Sequence, residues 1–102
     1  MTAEHFEKIK LALRIKHEQL DQDIRADIDA CLADLKMHGI IYAGIEDSLI
    51  FNAVKLWCKA YYTDDVVKAA AYLQRYNALR DCLKVAEGYG WKDTPEGADS
   101  DE

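Results

Sequence analysis

The stretch Ser48–Tyr62, SLIFNAVKLWCKAYY, decides the fold. Its strongly polar interior residues are Asn52, Lys55 and Lys59, and spacings of three and four put them on one narrow helical stripe. The rest of the cylinder is apolar or aromatic, with Ile50, Val54, Trp57 and Tyr61 recurring at helical pitch. A helix dry over most of its circumference needs cover from several sides. Either it is the central post of a small helical domain, or part of it meets another subunit, and both can hold.

Working outward, Asp47 stands where an N-cap would open this helix, and Thr63 follows its last apolar residue. Asp64 or Asp65 can cap a further helix running to about Glu87, with Ala69, Tyr72, Tyr76, Leu79 and Leu83 on one stripe and Val66, Ala70 and Leu73 broadening it. A helix of roughly 20 residues spans about 30 Å, which is long for so small a chain. Upstream, a helix from about Leu20 to His38 carries Leu20, Ile24, Ile28, Cys31, Leu32 and Leu35 at the same spacing. Its other face holds Asp23, Arg25, Asp27, Asp29 and Asp34, with Arg25 and Asp29 placed for an i, i+4 pair. Gly39 is the expected left-handed stop. A first helix covers about Ala3 to Arg14, with Phe6, Ile9 and Leu13 on one face, and Ile15 to Gln19 is a short charged connection. Between Gly39 and Asp47, the apolar run Ile40 to Glu46 suggests a link folded back on the core.

The expected fold is therefore all-α: a small bundle of four helices with a long C-terminal helix and a flexible acidic tail. Residues 1–88 form the helical domain, and 89–102 a tail made of a docking segment followed by a disordered end rich in acids. The expected core is Leu13, Ile24, Ile28, Leu32, Leu35, Ile50, Val54, Trp57, Tyr61, Leu73, Tyr76, Leu79 and Leu83.

With 102 residues, the chain is one domain able to bury roughly two-thirds of its unfolded surface. No run approaches a membrane span, and the opening MTAEHFEKIK has no apolar signal core, so a cytoplasmic origin is expected. Cys31, Cys58 and Cys82 are far apart and fall within helical patterns, as reduced buried thiols would. A net charge of −6 without a Lys/Arg cluster argues against tight phosphate binding.

Catalytic signatures are sparse. Ser48 sits at a helix start and Ser100 in the tail, neither on a nucleophile elbow. His5, His17 and His38 show no metal-ligand spacing, and no glycine-rich phosphate loop occurs. The expectation is no enzyme, no cofactor and no metal. Tyr89 and Trp91, flanked by glycines beyond the last helix, read either as a segment tucked onto the helices or as aromatic anchors for a partner.

The ordered features resemble the small head–tail connector (adaptor) proteins of long-tailed bacteriophages, also known as DNA-packaging proteins. The resemblance lies in Lys10-Leu11-Ala12-Leu13-Arg14-Ile15 closing the first helix, Leu20-Asp21 with Ile24 opening the second, and Ala33-Asp34-Leu35 followed by Gly39. It continues through Asp47-Ser48-Leu49-Ile50, Leu56-Trp57-Cys58-Lys59-Ala60-Tyr61-Tyr62, then Tyr76 with Leu79 and Leu83, and an exit at Tyr89. It covers about residues 5 to 90. Lys16 and Ser48 depart from a hydroxyl and a proline common in the family, and the acids after Trp91 have no counterpart.

The resemblance implies a structural virion protein at the head–tail interface, made in the bacterial host cytoplasm. Its copies would form a homo-oligomeric ring, dodecameric in the virion, beneath the phage portal protein. The ring would extend the DNA channel and bridge to a head-completion (stopper) or tail protein. Tyr89 and Trp91 would then be the portal-docking residues, DNA would pass without specific binding, and the acidic face of the second helix is the first candidate for the lumen. No membrane is involved. The alternative is a small helical DNA-binding packaging regulator resembling a terminase small subunit, for which Arg75, Arg80 and Lys84 are the best basic candidates. A generic helical interaction module unrelated to phage is the third reading.

Overall fold

The computed structural model describes residues 2–40 and 44–86. Four helices and no strand pairs make up the fold among them: α1 Ala3–Leu13, α2 Asp21–Met37, α3 Ser48–Tyr62 and α4 Val66–Val85. The fold is all-α, and α3 is its post, packed against each of the other three helices. Most of the dry circumference of SLIFNAVKLWCKAYY is covered within the chain, with Ile50, Ala53, Val54, Cys58 and Ala60 buried, while Leu49 and Tyr61 stay exposed.

Local chemistry sets the helix ends. The Thr2 hydroxyl accepts from the His5 N–H and opens α1. Asp47 accepts from the Leu49 and Ile50 N–H groups at 3.0 and 3.2 Å, and Asp65, rather than Asp64, caps α4 through Val67 and Lys68. No side chain caps α2, but Asp21 and Asp23 lie in its first turn, where the helix dipole favours negative charge. Gly39, at φ 86°, closes α2: its N–H bonds to the Lys36 carbonyl and that of Ile40 to Leu35, while Ile40 and Leu35 are both buried. The end of α1 has the same pair of closing bonds, Arg14 to Leu11 and Ile15 to Lys10. There the left-handed residue is Arg14, at φ 61°, a conformation that costs a residue with a Cβ about 1 kcal/mol.

Of the expected core, Ile24, Ile28, Leu35, Ile50, Val54, Tyr76 and Leu83 are buried, and Leu13, Leu32, Trp57 and Leu79 pack against them half-buried. Leu73 is half-buried without joining that cluster. Tyr61 corrects the expectation: it is 57% exposed. Its position follows the buried stripe, but it falls in the last turn of α3, where its ring leans on Trp57 at 5.2 Å and otherwise meets water. Phe6, Ile9, Ile40 and Ile45 complete the interior. Cys82 also departs from expectation; it is exposed, whereas Cys31 and Cys58 are fully buried.

Candidate assembly surface

The tail residues Tyr89 and Trp91, expected to dock on a partner, lie outside the described residues. The functional geometry that can be read is therefore the helical body, and it divides into polar side chains turned inward and apolar side chains turned outward.

Two inward polar clusters tie the helices together. Lys10 is only 4% exposed, and its Nζ stands 2.8 Å from Asp21 Oδ1, joining α1 to the start of α2. The carboxylate, by hydrogen bond and charge, holds the ammonium above the ordinary lysine range. The same Nζ lies 5.8 Å from the centroid of the Phe6 ring, over which the Arg25 guanidinium stands at 4.0 Å. Arg25 thus stacks on α1, and the expected pair with Asp29 is not among the ion pairs of the described residues.

The second cluster centres on Asp34. The Tyr76 hydroxyl donates to Asp34 Oδ2 at 2.7 Å, and Arg80 Nη1 approaches the same oxygen at 3.5 Å. His38 stands over the neighbouring backbone, with Nδ1 2.8 Å from the Asp34 carbonyl. Burial first, then the bond to Asp34, pushes the Tyr76 hydroxyl far above its usual range. Asp27 is engaged similarly: burial first and its hydrogen bond next raise the Tyr62 hydroxyl. The acidic face expected on α2 is therefore divided. Asp27 and Asp34 are half-buried and serve tyrosines, while Asp23 and Asp29 remain exposed.

Both clusters join one helix to another. Desolvation pushes the Cys31 and Cys58 thiols up to about 12, far from the thiolate a nucleophile needs. Among the described residues, no three His, Cys, Asp or Glu side chains are grouped to hold a metal ion, and no helix is long and apolar enough to cross a membrane. One concave feature, a cleft of about 450 Å³ where the end of α1 meets the α3–α4 turn, is lined by Arg14, Lys59, Tyr62, Asp64, Lys68 and Tyr72 among others. None of its lining residues is a cysteine, serine or histidine.

The outward apolar side chains are more telling. Met37 is 83% exposed, Val67 78% and Val85 86%. They cap rows of small residues on the faces of α2 and α4 that point away from the core: Ala26, Ala30 and Ala33 on α2, Ala70 and Ala78 on α4. Helical spacing found the inner stripe of each helix. It gave no reason to examine the outer ones, because alanines read equally well as helix formers. The signal available was α4 itself, whose apolar residues are spread around the whole cylinder.

No protein-family model, curated protein or solved structure matches this chain.

Proposed function

We propose that this chain is a structural virion protein, a head–tail connector whose copies form a ring under a phage portal, extend the DNA channel and bridge to the next head-completion or tail protein. The observation that carries the reading is the uncovered apolar surface of α2 and α4, on helices whose inner faces are already filled by α3 and by the Asp34 cluster. Side chains such as Met37, Val67 and Val85 gain from burial that a single copy does not provide. A head-to-tail contact whose rotation closes gives a ring. The sequence resemblance supplies the setting, and the charge of −6 suits a conduit past which DNA must slide without sticking.

The competing reading, a DNA-binding packaging regulator, needs a basic recognition helix. Of its three candidates on α4, Arg80 is turned inward onto Asp34 and the Tyr76 ring, leaving Arg75 and Lys84 free to face a phosphate backbone. That favours the connector.

Electron microscopy of the purified protein, with and without portal, tests the proposal. Rings, alone or on the portal, are expected, and Trp91→Ala is expected to weaken portal attachment without moving the melting temperature. A protein that stays monomeric at every concentration and ignores the portal overturns the reading. A specific, salt-resistant gel shift on DNA would favour the regulator.

A further inference from the structure

We infer that the subunit contact of this assembly is made between the outer face of α2 in one copy and the outer face of α4 in the next. The inference rests on the ring-forming connector reading above and specifies its interface.

Both faces have the composition of a helix seam. On α2, Ala26, Ala30, Ala33 and Met37 follow one another at spacings of four, three and four, and all are exposed. On α4, Val67, Gln74, Ala78 and Val85 keep the same seven-residue register over a longer span, again exposed, and the next place after Gln74 holds Asp81, whose Oδ1 lies 3.4 Å from Arg80 Nε. Rows repeating at 3.5 residues stay in line when two helices cross at a shallow angle, and small side chains allow their axes to approach within about 8–10 Å.

Charge then selects the pairing. Helix α2 carries five aspartates against Arg25 and Lys36. Helix α4 carries Lys68, Arg75, Arg80 and Lys84 against the single Asp81. With Asp21, Asp27, Asp34, Arg25 and Arg80 occupied inside the subunit, the exposed flanks of the two rows still have opposite sign. Asp23 and Asp29 border the α2 row together with Lys36, and Lys68, Arg75 and Lys84 border the α4 row together with Asp81, which leaves the α2 flank net negative and the α4 flank net positive. An α2–α2 contact would face acid with acid, and an α4–α4 contact base with base, each disfavoured. The α2–α4 contact joins opposite charges. Because it uses two different faces, it is head-to-tail and can propagate to closure. Asp23 and Asp29, which belong to the face first considered for the channel lumen, are thereby assigned to the seam.

The row on α2 from Ala26 to Met37 is about 16 Å long, so a single contact is short and its rim charges are open to salt. Sedimentation at low salt and high protein concentration is the suitable measurement. Two chains are needed, Asp23→Lys/Asp29→Lys and Lys68→Glu/Arg75→Glu. All four positions are exposed, and circular dichroism checks the helices. Should the charge change in the first turn of α2 unfold the first chain, Asp29→Lys alone replaces it.

Each variant alone is expected to lose self-association by at least about tenfold, because both of its outer faces then carry the same sign. An equimolar mixture is expected to regain assemblies of wild-type size, with the two chains alternating. Wild-type-like assembly by either variant alone overturns the α2–α4 contact and leaves the ring reading standing. A mixture that stays dissociated overturns it as well, since general repulsion would then explain both losses. A wild-type chain that is monomeric under all conditions, portal present, removes the connector reading and this inference together.

Discussion

Helices α3 and α4 are neighbours in sequence and partners in space, yet they solve opposite problems. α3 is touched by α1, α2 and α4 and buries five of its fifteen residues, three of them alanine or cysteine. α4 is longer, at twenty residues, but buries only Tyr76 and Leu83. It reaches beyond α3 through the Asp34 cluster and leaves a whole side of its cylinder in solvent. The difference separates two tasks that a short chain must combine. One helix holds the fold together, and the other is available to hold something else.

The largest consequence of this contrast lies in pH. Cys31 on α2 and Cys58 on α3 sit inside the seam around the post, fully buried, and burial pushes both thiols up to about 12 from an ordinary 9.0. Their folded-state values are raised acids, so the unfolded chain releases these protons first. Stability is unaffected below about pH 9 and falls as pH rises between 9 and 12. Two such groups give a loss of about 2–3 kcal/mol per pH unit in that window. Lys10 adds in the same direction: its raised ammonium stabilises the fold below the ordinary lysine value and ceases to as pH passes above it. Urea midpoints measured from pH 7 to 11 should fall steeply above 9 and more steeply above 10, where the raised Tyr62 and Tyr76 hydroxyls add in the same direction, and Cys58→Ala should reduce the slope between pH 9 and 10 by about half. A flat profile would mean that the α2–α3 seam is wetter than the packing implies.

A smaller and sharper test sets the two helices against each other directly. Ile50 lies at the inner start of α3 with no exposed surface, and Ile50→Ala should cost about 2–5 kcal/mol in thermal or urea unfolding. Val67→Ser, on the outer row of α4, should change monomer stability by less than about 0.5 kcal/mol. The same substitution should weaken self-association, because it places a polar group in the seam. Comparable losses of stability at both positions would erase the distinction drawn here.

Much of the fold was legible because it rests on period and caps. The apolar circumference of Ser48–Tyr62 identified the post, and Asp47, the pair Asp64 and Asp65, and Gly39 marked ends for reasons of backbone hydrogen bonding that act locally. Long-range chemistry was not legible. Lys10 looks like one more surface lysine until α2 brings Asp21 to it, eleven positions on. Asp34 looks like part of a solvated acidic face until Tyr76, forty-two positions on, donates to it. Arg14 gives no sign that it will take the left-handed place usual for glycine, because the closing bonds, not the side chain, impose it. Tyr61 failed in the opposite sense. Its spacing is right for the core, but period says nothing about where the surrounding cover stops. The candidate assembly surface stayed hidden for a related cause, since a seam made of alanines differs from an ordinary exposed helix only by what eventually lies on it.

A last substitution, milder than Ile50→Ala, probes an attachment of α4 that runs to α2 rather than to α3. The Tyr76 hydroxyl stands between Asp34 and the Cys31 thiol, and Trp57 meets its ring edge-on at 5.1 Å. Tyr76→Phe keeps the ring and its packing but removes the donor, leaving Asp34 with Arg80 at 3.5 Å. Because a charged, half-buried acceptor loses its best partner, the cost should be about 1–2 kcal/mol. The loss should be uneven. Amides in the second half of α4 are expected to exchange with solvent faster, while those of α3, covered from three sides, keep most of their protection. Uniform loss across both helices would mean that α4 and α3 open as a single unit. The outer helix would then be as much a part of the foundation as the post it leans on.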